Sequence, residues 1–203
     1  MAEMESVLVR TTSLLHLLLK DVNFALKESK EESDEFKPYR RRTFIRTFFS
    51  FVEGYCYCYR NLMLNFGTLM NYKFSDHEIL KLKELREVTD RHSGELKQIK
   101  NWLEIEESLK ISFEWTAKSV GTEFKLDTIS DGYKALLKAK RIRNDLMHPK
   151  RTSCLVISES EHQVVEEALK WFLQEMSRFN DTIAEVRNSD LVKAFAKHCS
   201  SHA

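Results

Sequence analysis

Turn-forming residues are scarce in this chain, with 5 Gly and 2 Pro among 203 residues. A many-stranded sandwich needs a turn every several residues, so the scarcity argues against one. Long hydrophobic runs are also missing. The best stretch, Leu14 to Leu19, is short and contains His16, whereas a membrane span needs about 18 uninterrupted apolar residues. Glu3 and Glu5 precede any apolar run, the wrong charge for a secretory leader. The expected location is therefore cytoplasmic, with no membrane partner. The cysteines are Cys56, Cys58, Cys154 and Cys199. On a helix Cys56 and Cys58 point about 200° apart, which makes a shared metal difficult, and reduced, buried or half-buried thiols are expected. A Gly-rich phosphate loop, a His-Glu-X-X-His run and a paired-cysteine zinc pattern are all absent from the sequence. His16, His77, His92 and His162 belong to no sequence constellation. His198, Cys199 and His202 have ligand chemistry but lie in a tail expected to fray. No metal and no cofactor is expected.

What is present is the composition of one globular domain, with 42% hydrophobic and 31% charged residues. The net charge of +1 identifies no partner, but its distribution is uneven. Residues 28–35 are acidic. Residues 134–151 hold Lys134, Lys138, Lys140, Arg141, Arg143, Lys150 and Arg151 against Asp145 alone, a local field that attracts polyanions.

Apolar periodicity predicts an all-α chain. Residues 4–28 repeat Leu8, Leu15, Leu18, Val22 and Leu26 at helical steps. After an acidic loop and Pro38, residues 39–66 form a long helix with an aromatic stripe (Phe44, Phe48, Phe51, Tyr55, Tyr59), suited to a core or a dimer interface, and Gly67 is a plausible stop. Ser75 and Glu78 have capping-box spacing, and the helix they open is expected to reach Asp90–Gly94. Residues 95–119 read as helical again. Residues 120–129 read as a loop or a short extended piece, residues 130–147 as a helix capped by Ser130 or Asp131, and residues 153–158 as a strand or connector. A strong helix then runs from Ser158 to about Val186, and residues 190–199 offer a short terminal helix.

The segment with chemistry is Arg143-Asn144-Asp145-Leu146-Met147-His148-Pro149. Ala135, Ala139, Ile142 and Leu146 share one side of a 100° wheel and should face the core, with Arg143 on the flank of that stripe. In an unbroken helix Arg143 and His148 would stand about 140° apart. A residue before proline leaves the helical region, so the helix should end at His148, whose ring can then turn back toward Arg143. Asn144, one turn earlier, is placed to hydrogen-bond that ring. Glu53, alone among aromatics, needs a partner if buried. Arg143, Arg46 and Arg60 are the candidates, with solvent as the other option. Asp145 fits either a supporting group at the site or a solvated partner for Arg141 or Lys138.

Arg-X4-His with a polar residue after Arg and Pro after His resembles the signature of the HEPN (higher eukaryotes and prokaryotes nucleotide-binding) superfamily. Gly132-Tyr133 and Lys150 also fit its bacterial members. The resemblance covers the motif helix specifically and the helical layout loosely. It implies an up-and-down bundle of about four core helices within one domain over residues 1–203, with residues 68–129 as an elaboration and extra helical segments. It also implies a homodimer whose two motif helices form one composite cleft. Many such proteins are metal-independent endoribonucleases, often toxins or defence effectors, some held by an antitoxin or a nucleotidyltransferase. Arg143 and His148 then become the catalytic pair, Asn144, Asp145 and Glu53 their supports, and Lys140, Arg141, Lys150 and Arg151 the RNA-binding residues. The chemistry suits these side chains. RNA carries its own nucleophile, the 2′-OH. One imidazole takes its proton while another, charged, protonates the leaving 5′-oxygen. A guanidinium fork receives the developing phosphate charge. The alternative is a non-catalytic helical module that binds nucleotide or RNA or docks a protein.

Overall fold

A computed structural model gives the fold and describes residues 2–31, 35–66, 72–90 and 92–187. The order is α1 (Ala2–Ser29), α2 (Lys37–Phe66), α3 (Asp76–Leu82), β1 (Leu85–Thr89), β2 (Leu96–Lys100), α4 (Ile105–Lys110), α5 (Thr116–Ser119), α6 (Asp131–Met147) and α7 (Glu159–Arg187). The chain is mostly helical, as its periodicity predicts, with one small hairpin. Gly67 and residues 190–199, read above as a helix stop and a terminal helix, lie outside the described residues, as do His198, Cys199 and His202. Among the described residues no helix is long and apolar enough to cross a membrane.

The described residues divide into two compact units. The first holds residues up to Tyr55 and Asp127–Met176, the second Cys56–Leu126 and the residues after Met176. In the first unit the aromatic stripe of α2 is the core: Phe44, Phe48, Phe51, Val52 and Tyr55 are almost fully buried. Phe172 of α7 meets Phe51 and Tyr55 edge-on, with ring centroids 5.5 and 5.4 Å apart, an arrangement the ring quadrupoles favour. Each such ring contributes roughly 1.5–3 kcal/mol by leaving water. Pro38 sits in the first turn of α2, where its missing N–H costs little.

In the second unit Met63, Phe74, Leu82 and Ile111 make one apolar cluster, and Phe113 and Phe179 meet edge-on at 5.2 Å. The Ser75–Glu78 capping box forms as its spacing predicts. The helix it opens ends at Leu82, however, not near Asp90. Glu84 adopts φ 54°, a left-handed conformation that a helix cannot continue through. Its carboxylate pairs with Arg60 at 3.1 Å. Leu85–Thr89 and Leu96–Lys100, expected to be helical, instead pair as an antiparallel hairpin with Leu85 opposite Lys100 and Thr89 opposite Leu96. The reason is local. Val88, Thr89 and Ile99 are β-branched. Between the strands Asp90 accepts the His92 and Ser93 N–H groups, and Gly94 takes φ 71°, which is turn chemistry. From Ile105 the chain is helical as expected, with one π turn at Ile111–Trp115 joining α4 to α5. Residues 122–128 form no strand, and residues 153–158 begin in a 3₁₀ turn (Thr152–Leu155) before an extended connector.

Cys56 and Cys58 are both buried. Burial, with Cys56 adding to it, pushes the Cys58 thiol up to about 11. It therefore stays protonated and is a poor nucleophile. Among the described residues no three His, Cys, Asp or Glu side chains gather as a metal site.

Candidate active site

Helix α6 is fixed at its start by three local devices. The Asp127 carboxylate accepts the Ile129 and Ser130 N–H groups at 3.1 and 3.2 Å, turning the chain into the helix. Ser130 caps it by accepting the Tyr133 N–H. Gly132 then lies against Trp171, where a Cβ would come within 2.5 Å of the Trp171 Cβ. Tyr133 packs its ring on the same tryptophan, centroids 5.4 Å apart. The inward face contains Ala135, Ala139 and Leu146, as the wheel places them, together with Leu136; Ile142 is half-buried.

At its other end α6 stops at Met147. His148 has φ −130° and ψ 61° and is the last residue to bond back, its N–H reaching the Asn144 carbonyl at 3.0 Å. Pro149 enforces this stop. The Arg143 side chain is 31% exposed and crosses to α2. Its Nη2 donates to Glu53 Oε1 at 2.7 Å, its Nη1 to Asn144 Oδ1 at 3.3 Å, and its guanidinium carbon stands 5.9 Å from the Phe49 ring centre. Of the three partners considered for Glu53, Arg143 is the one it meets. Arg60 is held by Glu84 and Ser108.

Asn144 does not reach the His148 ring. Its amide oxygen instead accepts from Arg143, and His148 has left helical geometry at φ −130° and ψ 61°, which takes its ring off the helical row of Asn144. The His148 ring is exposed and has no hydrogen-bond partner among the described residues. Asp145 is exposed and makes no ion pair with Lys138 or Arg141. Lys150 and Arg151 are exposed in the connector, Arg141 is exposed on α6 and Lys140 is half-buried. Arg143, Asn144 and Glu53 are thus in direct contact, with His148 at the free end of the same helix.

A second polar cluster escaped the sequence. His162 of α7 is only 3% exposed. Its Nε2 lies 2.8 Å from Ser29 Oγ, and its Nδ1 lies 3.3 Å from Glu166 Oε1, one turn on. Phe44 leans on the ring at 5.4 Å. Nearby, buried Arg41 pairs with Glu159 and donates to the Ile157 carbonyl at 3.0 Å. Burial lowers the His162 pKa below its ordinary value, Glu166 opposing the shift in part. A Ser–His–Glu chain resembles a nucleophile relay, but Ser29 is 1% exposed, which denies it a substrate. The cluster joins the end of α1 to α2 and α7.

No protein-family model matches the chain, and no curated protein or solved structure matches it.

Proposed function

We propose that the chain is an endoribonuclease of HEPN type, cleaving RNA by attack of the 2′-OH on the adjacent phosphate. The observation that carries this reading is the arrangement at the end of α6. A guanidinium held from two sides and still 31% exposed lies on the same short segment as an exposed imidazole without a hydrogen-bond partner among the described residues. Glu53 and Phe49 orient Arg143, and Asn144 braces it from its own helix.

In the proposed reaction the neutral His148 ring accepts the 2′-OH proton as oxygen attacks phosphorus. A charged His148 from a second copy protonates the departing 5′-oxygen, leaving a 2′,3′-cyclic phosphate and a free 5′-hydroxyl. Arg143 from each copy donates to the phosphate oxygens as their charge grows. Lys150, Arg151, Arg141 and Lys140 draw the RNA backbone, and Asp145 borders the same helix end. No metal takes part. A homodimer supplies the second His148, and the biological setting is that of a toxin or defence effector restrained by an antitoxin or a modifying nucleotidyltransferase.

A second reading is a non-catalytic nucleotide- or RNA-binding or protein-docking module. The Glu53 carboxylate on Arg143 favours it, because a neutralised fork attracts phosphate less strongly. The deciding experiment uses a DNA oligonucleotide with a single ribonucleotide. Cleavage only 3′ of that ribose, with a cyclic phosphate end, supports the nuclease. Binding without cleavage of any RNA supports the module.

A further inference from the structure

We infer that Arg46 of α2 is a phosphate-binding residue and forms, with Lys150 and Arg151, a site for the RNA backbone beside His148. The inference rests on the nuclease reading for the identity of the bound polyanion and on the following geometry for its place. Four contacts join α2 to residues 143–157, and they run in opposite order along the two. Arg143 meets Glu53 and Phe49. Farther along the chain, Leu155 receives the Arg42 guanidinium on its carbonyl at 2.8 Å, and Ile157 receives that of Arg41 at 3.0 Å. The end of α6 therefore travels back along α2. Residues 148–151, which lie between these fixed points, pass the part of α2 between Arg42 and Phe49.

Arg46 occupies that part. It follows Arg42 by one turn and precedes Glu53 by two, so it shares their side of the helix. It is exposed and makes no ion pair or hydrogen bond among the described residues. Lys150 and Arg151 are likewise exposed and without a partner there. The carboxylate nearest in this row, Glu53, is already engaged by Arg143. Three exposed cations without partners among the described residues, two of them within three residues of an exposed imidazole, suit a chain of phosphates. An arginine suits the role because its planar fork takes two phosphate oxygens at once.

The test is fluorescence anisotropy with a labelled single-stranded RNA oligonucleotide of mixed sequence, in the uncleaving His148→Ala background, over a series of salt concentrations. Arg46→Ala should weaken binding about tenfold and reduce the slope of log K against log salt by about 0.7, the loss of one phosphate contact on a single strand. Arg46→Lys should keep the slope and recover part of the affinity. With His148 intact, Arg46→Ala should raise KM and leave kcat nearly unchanged. Unaltered affinity and slope in both Arg46→Ala and Arg46→Gln, with native circular dichroism, would overturn the inference. If Arg143 and His148 are needed for cleavage while Arg46→Ala matches wild type in KM and salt slope, this inference fails and the nuclease reading survives. If the protein binds RNA through Arg46 but cuts none, the nuclease reading fails and the phosphate site stands. If the oligonucleotide does not bind at all, both fail.

Discussion

Two clusters in the first unit are built from the same kinds of residue. One holds Arg143, His148, Glu53 and Asn144, the other Arg41, His162, Glu159, Glu166 and Ser29. In the second, both ring nitrogens of the histidine have partners and the ring is almost wholly buried. In the first, the histidine is exposed, its ring is unpartnered, and the arginine is partly open to solvent. The difference separates a structural junction from a place where chemistry is possible. A buried, satisfied network fixes side chains and resists change. An exposed imidazole five residues after an oriented guanidinium contributes little to folding and is open to a substrate.

The sharpest way to break this comparison is to truncate both histidines. His148→Ala and Arg143→Ala should each reduce RNA cleavage by at least about 10²-fold, the usual contribution of one acid or base. Their unfolding free energies in urea should fall by no more than about 1 kcal/mol, the worth of an exposed ion pair. His162→Ala should reverse the pattern. It opens a cavity against Phe44 and removes one partner from buried Ser29 and half-buried Glu166, which keep Leu26 and Lys30, and should cost about 2 kcal/mol of stability, while cleavage per folded molecule is unchanged.

A gentler test uses pH. Burial holds the His162 pKa below its ordinary 6.5, so the unfolded chain takes up a proton that the folded chain refuses. The resulting stability is complete above about 6.5 and is lost as pH falls below it toward the lower folded value. Denaturation curves between pH 7.5 and about 5 should show this decline in wild type and a flatter profile in His162→Gln. Smallest of all, Glu53→Gln should lower cleavage by no more than about fivefold, roughly 1 kcal/mol, with most of the effect in kcat because the arginine is oriented less well. A larger loss would make Glu53 a participant in proton transfer.

The helix carrying the candidate site was legible because its signals are local. Ser130 caps it, Pro149 ends it after His148, and its alanine-rich stripe marks the inner face. The Glu53–Arg143 contact was one of several open choices, since a sequence says little about which distant partner wins. The buried histidine cluster was not legible at all. Ser29 and His162 stand 133 residues apart, and only the packing of α1 against α7 brings them together. The hairpin was misread for another reason. Leu85 and Val88, like Leu96 and Ile99, are spaced three apart, which a short helix accommodates as well as a strand, and the deciding features were the β-branched residues and the Asp90–Gly94 turn chemistry.

The most direct measurement is cleavage of total RNA and a labelled oligonucleotide by wild type, His148→Ala and Arg143→Ala, each with and without EDTA, with sedimentation velocity on the same samples. The expected result is a dimer whose wild-type form cuts RNA regardless of EDTA and whose two variants are folded, dimeric and inactive. Wild type and variants equally inert on every RNA, or a wild-type monomer at micromolar concentration that still cuts, would contradict the composite site at the end of α6.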